Sequence, residues 1–198
     1  MDTTETFIHQ QYLSDLTICD DLISYFEENR SKAKVGRVYG GEVRPNQKDS
    51  IDLRSDFVDP ELTDRYYGLF DQVVHNYAEK YKWAFQEPVS VYEHFNIQYY
   101  RPNQGAFHAW HCERLGAEAP ASWRHLVWMT YLNDVEEGGE TEFLYQKMKV
   151  QPRKGLTLIW PSDWTHMHRS KKTKRGKKYI ITGWLNFVPR EEQEAMKK

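Results

Sequence analysis

From Pro88 onward, the chain consists of short segments rich in β-branched and aromatic residues, and turn sequences separate these segments. This composition and segment length are typical of β-strands. We predict strands near 89–101, 107–113, 124–132, 141–145, 156–160, 166–169 and 178–188. Because many short strands bury their apolar sides best in two packed sheets, this half of the chain predicts a β-sandwich or jelly roll.

The N-terminal half predicts two helices that pack on this sheet structure. Apolar residues recur at helical spacing after Ser14, which is expected to be the N-cap of the first helix. A second apolar stripe follows Asp59 and Pro60, with Asp expected as the N-cap and Pro as the first helical residue. We also predict a short strand over 7–13, and short strands and loops over 31–55.

Composition and charge limit the class of protein. With 198 residues the chain can bury one sizeable core, and we predict a single domain over 1–198. The formal net charge of −2 gives no overall field that would attract nucleic acid or a membrane. There is no apolar run of membrane-spanning length, and the acidic, polar start is unlike a signal peptide. Cys19 and Cys112 are the only cysteines, so we expect no disulfide framework. Together, these features predict no membrane partner and a cytoplasmic location.

Three residues of the strand-rich half have side chains suited to hold a metal ion. Side chains at i and i+2 leave the same face of an extended strand, so His111 and Glu113 can reach one ion together. His168, which lies 55 residues after Glu113 (168 − 113), can supply a second imidazole. Two imidazoles and one carboxylate can hold one face of Fe(II) and leave the opposite face open. The spacing therefore predicts a 2-His-1-carboxylate iron site.

Two other histidines compete for a place in this site. His166 is two residues before His168, so both can face the same side of a strand, and the residues alone leave this choice open. His108 is three residues before His111, and this odd offset is expected to place it on the opposite face. The remaining histidines form no cluster and are expected to be structural.

Five segments, in the same order along the chain, resemble motifs of the Fe(II)/2-oxoglutarate-dependent oxygenases, and the nearest resemblance is to the prolyl 4-hydroxylase group. The segments are the H-x-E region 99–113, the Tyr-Leu-Asn strand 124–133, the G-G-x-T-x-F motif 138–143, the strand 150–160 and the distal region 168–184. The resemblance covers roughly 88–188, and the N-terminal helices only loosely. It implies an α+β, mainly β fold: a double-stranded β-helix (jelly roll, cupin-like) at about 88–188, backed by helical support over 14–82.

The resemblance also implies cofactors and site residues. Fe(II) would be held by His111, Glu113 and His168, and the ten-residue spacing from His168 to Lys178 (178 − 168) favours this histidine over His166. The cosubstrate would be 2-oxoglutarate, used together with O2, and ascorbate is a further candidate cofactor. Most members of the family have Asp at the position of Glu113, so this chain departs from the family by one methylene group.

The C5 carboxylate of 2-oxoglutarate needs a buried cation or several hydrogen-bond donors. By the same resemblance, Lys178 would supply the charge, and Tyr131 and Thr182 would supply hydroxyl groups. Lys178 and Thr182 are four residues apart on a predicted strand and therefore share a face. Tyr100, on a preceding strand, is expected to contact the cosubstrate or the substrate.

The function implied is hydroxylation of a substrate C–H bond coupled to decarboxylation of 2-oxoglutarate to succinate, with a peptidyl proline in a peptide or protein as the leading substrate. One alternative is a nucleic-acid or small-molecule hydroxylase or demethylase, with the basic run 169–178 contacting phosphates. The plainer interpretation of that run is a solvated loop between two strands. Another alternative is a non-catalytic β-helix binding module, which the intact set of His and Glu residues disfavours.

Overall fold

The regular structure of the protein consists of two α-helices and thirteen β-strands in the computed structural model, which describes residues 5–191 and 193. The helices are α1 (Thr17–Glu28) and α2 (Pro60–Lys80). The strands are β1 (His9–Tyr12), β2 (Lys34–Val35), β3 (Lys48–Asp49), β4 (Ile51–Arg54), β5 (Val89–Ser90), β6 (Asn96–Tyr100), β7 (Ala106–Phe107), β8 (Arg124–Tyr131), β9 (Thr141–Phe143), β10 (Met148–Val150), β11 (Leu156–Pro161), β12 (His168–Ser170) and β13 (Lys178–Phe187). Among the described residues, no helix has the length and apolar character needed to cross a membrane.

The start of helix α2 agrees with the prediction, whereas the start of α1 does not. The Asp59 carboxylate accepts hydrogen bonds from two backbone N–H groups of the first turn, and Pro60 is the first helical residue. The prediction of Ser14 as the N-cap of α1 is wrong, because that helix begins at Thr17. The carboxylate of Asp15 instead accepts from the backbone N–H of Thr17 at 2.9 Å. A capping carboxylate next to Ser14 therefore starts the helix later than the sequence suggests.

The larger sheet runs in the order β1-β11-β8-β13-β6-β4-β2, and β5 pairs with the far end of β13. All its strand pairs are antiparallel. The N-terminal half thus contributes β1, β2 and β4 to this sheet as well as the two helices. A smaller sheet, β10-β9-β12, and the pair β3-β7 lie alongside.

Two apolar clusters hold these layers together. One cluster fills the space between the helices and the outer face of the larger sheet, and includes Phe26, Tyr66, Phe70 and Trp128. The second lies between the two sheets, where the Phe143 ring meets the Trp160 ring edge to face at 5.3 Å. This sheet-on-sheet packing closes the strand-rich half into a jelly roll.

Two of the predicted strands are interrupted. The segment predicted over 89–101 divides into β5 and β6, because β5 pairs with the end of β13 and β6 with its beginning. The segment predicted over 107–113 contains only the short strand β7. The backbone N–H groups of His108 and Ala109 both donate to the Gln47 carbonyl, which ends the ladder there. His111 therefore joins the sheet through a single bridge to His168.

The prediction of one domain over 1–198 stays a prediction, and residues 1–4, 192 and 194–198 lie outside the described residues.

The contact between Gly183 of β13 and the buried Trp128 ring gives a stability prediction. A Cβ at Gly183 would lie 2.3 Å from an atom of this rigid ring, so Gly183→Ala should lower the free energy of unfolding by about 1–3 kcal/mol. Gly68 of α2 is the matched control, because its Cβ would meet nothing within 4 Å. Gly68→Ala should stabilise by about 0.5–1 kcal/mol, and urea unfolding of both variants measures the contrast. Equal effects would show that the Gly183 contact is unimportant.

Candidate active site

His111 and His168 are joined by a pair of main-chain hydrogen bonds, each backbone N–H donating to the carbonyl of the other residue at 3.0 and 2.9 Å. The ring of each histidine is fixed by a carbonyl two residues earlier. His111 Nδ1 lies 2.9 Å from the Ala109 carbonyl, and His168 Nδ1 lies 3.0 Å from the His166 carbonyl. A carbonyl only accepts, so Nδ1 carries the proton and Nε2 presents a lone pair.

Glu113 completes a group of three possible metal ligands, whose ligand atoms all lie within 4.8 Å of one another. Glu113 Oε1 lies 3.4 Å from His111 Nε2 and 3.6 Å from His168 Nε2. Because a carbonyl engages Nδ1 in each ring, both Nε2 atoms face Glu113 Oε1. Two imidazole nitrogens with a carboxylate are a donor set that Fe(II) accepts. The residues present therefore fit an iron ion.

Burial and charge set the protonation of this group. Burial and the neighbouring His168 lower the pKa of His111, so this imidazole is neutral at pH 7. Burial by itself would raise the pKa of Glu113, but contacts with His111 and His168 outweigh it and hold that pKa well below its ordinary value. The site thus offers the neutral imidazole of His111 and the negative carboxylate of Glu113 at neutral pH.

The second carboxylate oxygen of Glu113 is held by two donors. Trp184 Nε1 donates to Oε2 at 3.0 Å, and Arg124 Nη1 donates to it at 3.3 Å. Oε1 remains directed towards the two histidines.

The three ligands open into a cavity of about 980 Å³ between the sheets. Aromatic rings form part of its wall: Tyr39, Tyr100, Phe107, Trp110, Trp160 and Trp184. The N-terminal half forms another part with charged side chains, among them Lys34, Lys48, Asp52 and Arg54.

Lys178 lies fully buried at the first position of β13. Its amine donates to the Gly139 carbonyl at 3.0 Å and to the Ser170 hydroxyl, and lies 4.6 Å from the centre of the Tyr100 ring. Within the described residues no carboxylate forms an ion pair with it. Burial lowers the pKa of Lys178 to about 7, and the negative charge of Glu140 offsets only part of this effect.

Hydroxyl groups lie near this lysine. Of the two that the sequence predicts, Tyr131 belongs to this group and Thr182 does not. The Tyr131 hydroxyl donates to Thr141 Oγ1 at 2.6 Å, and Thr141 is the register partner of Ser170. Cross-strand partners have neighbouring side chains, so the hydroxyls of Thr141 and Ser170, which both line the cavity, lie next to each other. Thr182 lies apart from this group: its hydroxyl donates to the Trp128 carbonyl at 3.3 Å.

A family model described as the 2OG-Fe(II) oxygenase superfamily matches residues 95–186, which include all three candidate metal ligands and Lys178. This matched segment of the chain is similar to the 2OG-Fe(II) oxygenase superfamily. This family implies Fe(II), 2-oxoglutarate and O2 as cofactor and cosubstrates, and the His-Glu-His group agrees with it. Ascorbate stays a prediction.

Two curated plant proteins are similar to this chain. Probable prolyl 4-hydroxylase 9 of Arabidopsis thaliana is 28% identical over 177 residues, which cover 77% of this chain and 59% of the relative. Prolyl 4-hydroxylase 13 of the same plant is 30% identical over 132 residues, covering 54% of this chain and 47% of the relative. The chain thus spans about half the length of these relatives.

Solved structures share the fold of this protein. The 2OG complex of the viral collagen prolyl hydroxylase vCPH from Paramecium Bursaria Chlorella virus-1 has a TM-score of 0.67 at 19% identity, covering 93% of this chain and 97% of that one. A prolyl hydroxylase from Trichoplax adhaerens, in complex with a hypoxia inducible factor oxygen degradation domain peptide fragment, has a TM-score of 0.75 at 12% identity, covering 97% and 87%. The predicted double-stranded β-helix with helical backing is confirmed by this similarity.

The side chain of His166 points away from the triad. Its Nε2 lies 3.0 Å from the Thr6 carbonyl and its Nδ1 lies 2.9 Å from the Thr165 hydroxyl, so both nitrogens have partners. The sequence did not indicate the roles of Ser170 or Arg124. Ser170 could have been found, because it follows His168 by two residues on the same strand and therefore shares its face.

The buried Lys178 gives a prediction about stability and pH. Its folded-state pKa lies below the ordinary value of 10.5, so the unfolded chain binds more protons between pH 7 and 10.5, and this group makes stability rise with pH. In metal-free protein, Lys178→Met should therefore raise the urea midpoint at pH 7, and the gain should shrink by pH 9.5. Lys171→Met, at an exposed lysine, is the control and should change neither value. A gain that grows with pH would contradict a buried, uncompensated charge.

Proposed function

We propose that the protein is an Fe(II)- and 2-oxoglutarate-dependent dioxygenase that hydroxylates a proline in a peptide or protein. The observation that carries this proposal is the convergence of His111 Nε2, His168 Nε2 and Glu113 Oε1 in one cavity, whose wall includes Ser170, the acceptor of a hydrogen bond from the buried Lys178. The prediction of a cytoplasmic location remains a prediction.

The iron and cosubstrate supply the oxidation: 2-oxoglutarate is decarboxylated to succinate, and an oxygen atom enters a substrate C–H bond. The protein's own residues prepare the site for it. His111, His168 and Glu113 would occupy one side of the ion, and the backbone hydrogen bonds on both Nδ1 atoms keep the rings in the binding tautomer.

Lys178 would bind the C5 carboxylate of 2-oxoglutarate. Its amine has no carboxylate partner in the described residues, and it donates to Ser170, whose hydroxyl lines the cavity next to that of Thr141, the acceptor of the Tyr131 hydroxyl. A charge-assisted hydrogen bond in a buried site is strong, because solvent does not compete for either partner. Thr182 and Tyr100 line the cavity and would contact the middle of the acid or the substrate.

The aromatic part of the cavity wall supports a proline substrate. Proline-rich peptides are recognised in grooves lined by aromatic side chains, and Tyr39, Phe107, Trp110 and Trp184 provide such a lining. The relatives named as prolyl 4-hydroxylases, and the similar structure that holds a peptide fragment, point to the same substrate class.

A nucleic-acid substrate is disfavoured by the state of the basic run. Of its seven basic residues, four are already engaged: Arg169 pairs with Glu142, Lys174 with Glu137, Lys177 with Glu27, and Lys178 is buried. Paired or buried cations cannot each neutralise a phosphate. The plainer interpretation, a solvated loop, describes this segment better.

The proposed reaction is tested by succinate formation from 2-oxoglutarate by the purified protein with Fe(II) in air. Turnover that rises several-fold on adding a proline-rich peptide, together with a peptide mass gain of one oxygen, is the expected result. Turnover without a peptide effect would retain the oxygenase and reject that peptide. Absence of turnover with iron bound would favour the binding-module alternative.

A pair of histidine variants tests the ligand assignment. His168→Ala should reduce succinate formation to the background and weaken Co(II) binding, used here as a probe for Fe(II), by more than tenfold, while far-UV circular dichroism stays unchanged. His166→Gln is the control: it keeps the backbone carbonyl that orients the His168 ring, so Co(II) binding should persist. Wild-type metal binding by the His168 variant, or its loss in the His166 variant, would overturn the assignment.

A further inference from the structure

Arg124, the first residue of β8, lies between two buried carboxylates. It forms a two-pronged pair with Glu93, with Nε 2.8 Å from Oε1 and Nη2 2.5 Å from Oε2. Its remaining nitrogen, Nη1, reaches Glu113 at Oε2 (3.3 Å) and at the backbone carbonyl (3.1 Å). Each of these three side chains is only 14–15% exposed, so water competes weakly for their hydrogen bonds.

Two side chains of strand β13 also contact these three charged groups. The guanidinium carbon of Arg124 lies 3.6 Å from the centre of the Trp184 ring, whose N–H donates to Glu113. Asn186 Nδ2 donates to Glu93 at 3.1 Å. A planar guanidinium held by a bidentate carboxylate and stacked on an indole has little freedom to turn, so its third nitrogen points in one direction.

This restraint limits the additional conformational freedom that the extra methylene gives to the Glu113 side chain. A glutamate ligand has one more rotatable bond than an aspartate, and ordering it on metal binding costs conformational entropy. Two donors on Oε2 remove that freedom beforehand and leave Oε1 at 3.4 and 3.6 Å from the two histidine nitrogens. Partners of a ligand that orient it in this manner typically change metal affinity by about 10–100-fold.

We propose that Glu93 is a positioning residue for the metal site: acting through Arg124, it orients the Glu113 carboxylate so that one oxygen faces the two histidines. Glu93 does not touch the metal. It fixes the guanidinium plane and cancels the charge of Arg124, so that the three side chains carry a net charge of −1 (1 − 2), as one carboxylate ligand alone would. This inference rests on the proposed iron site.

Two substitutions distinguish an effect of charge from an effect of orientation on the affinity for a divalent cation. Glu93→Gln leaves the charge of Arg124 uncancelled, so both charge and lost orientation weaken cation binding. Arg124→Gln leaves two carboxylates beside the site, so charge alone would strengthen cation binding, whereas lost orientation would weaken it. Positioning therefore requires both variants to bind a divalent cation more weakly, by about 10–100-fold.

The measurement is titration of the metal-free full chain with Co(II), read by its visible absorption, without 2-oxoglutarate. Both substitutions should raise the dissociation constant and shift the absorption bands, which report ligand geometry. The matched control is Arg65→Gln, because Arg65 of α2 also bridges two carboxylates, Asp21 of α1 and Asp15 just before that helix, and none of the three lines the cavity. Its dissociation constant and bands should equal those of the wild type. Thermal unfolding confirms that each variant is folded, and Arg124→Lys replaces Arg124→Gln if that variant is not.

A double-mutant cycle with Glu113→Asp separates positioning from general disruption. The shorter side chain would withdraw from Arg124, so Glu93→Gln should cost at most a few-fold in this background compared with 10–100-fold in the wild type. Equal costs in both backgrounds, tighter Co(II) binding by Arg124→Gln, or wild-type binding by Glu93→Gln would each overturn the inference. Failure of the wild-type protein to bind Co(II) would instead overturn the iron site itself.

Discussion

The site depends on the two main-chain hydrogen bonds that join His111 to His168. They bring together residues from distant parts of the chain, and the carbonyls of Ala109 and His166 then fix both rings in the same tautomer by the same local geometry. Because the tautomer is set by the backbone, the site needs no additional acidic side chain to orient either imidazole. Strand register, rather than side-chain packing alone, therefore creates the pair of nitrogens.

The buried charges around this pair fall into two kinds. Glu113 is compensated within the protein, by Arg124 and Trp184 and by the histidines it faces. Lys178 has hydrogen-bond acceptors but no carboxylate partner in the described part of the chain, and its lowered pKa reflects the cost. A buried charge that the fold leaves uncompensated favours binding of an anion, because the anion supplies the compensation that the free protein lacks. Glu113 therefore has partners in the protein before any metal binds, whereas Lys178 remains available to pair with an anionic ligand.

The sequence predicts those features that depend on short-range spacing. Asp59 and Pro60 begin α2 as predicted, because capping involves only neighbouring residues. The interruption of the strand predicted over 107–113 depends on the Gln47 carbonyl, about 60 residues away, and no local pattern contains that contact. Glu93 lay within a predicted strand, and its pairing with Arg124 exists only once β5, β6 and β8 have assembled. Tertiary partners of polar residues are thus the part that spacing does not reveal.

Two regions of the chain form the wall of the cavity. Residues 95–186, which match the family, contain the three candidate ligands and the buried lysine. Lys34, Lys48, Asp52 and Arg54 come from the region before this match, yet they form part of the same wall. A cavity of about 980 Å³ is at the upper end of the range of roughly 300–1,000 Å³ for small-molecule sites, so a five-carbon acid leaves much of it free. The residues for the proposed reaction therefore lie in the matched β-helix, while the N-terminal strands contribute charged side chains to the wall of the same cavity.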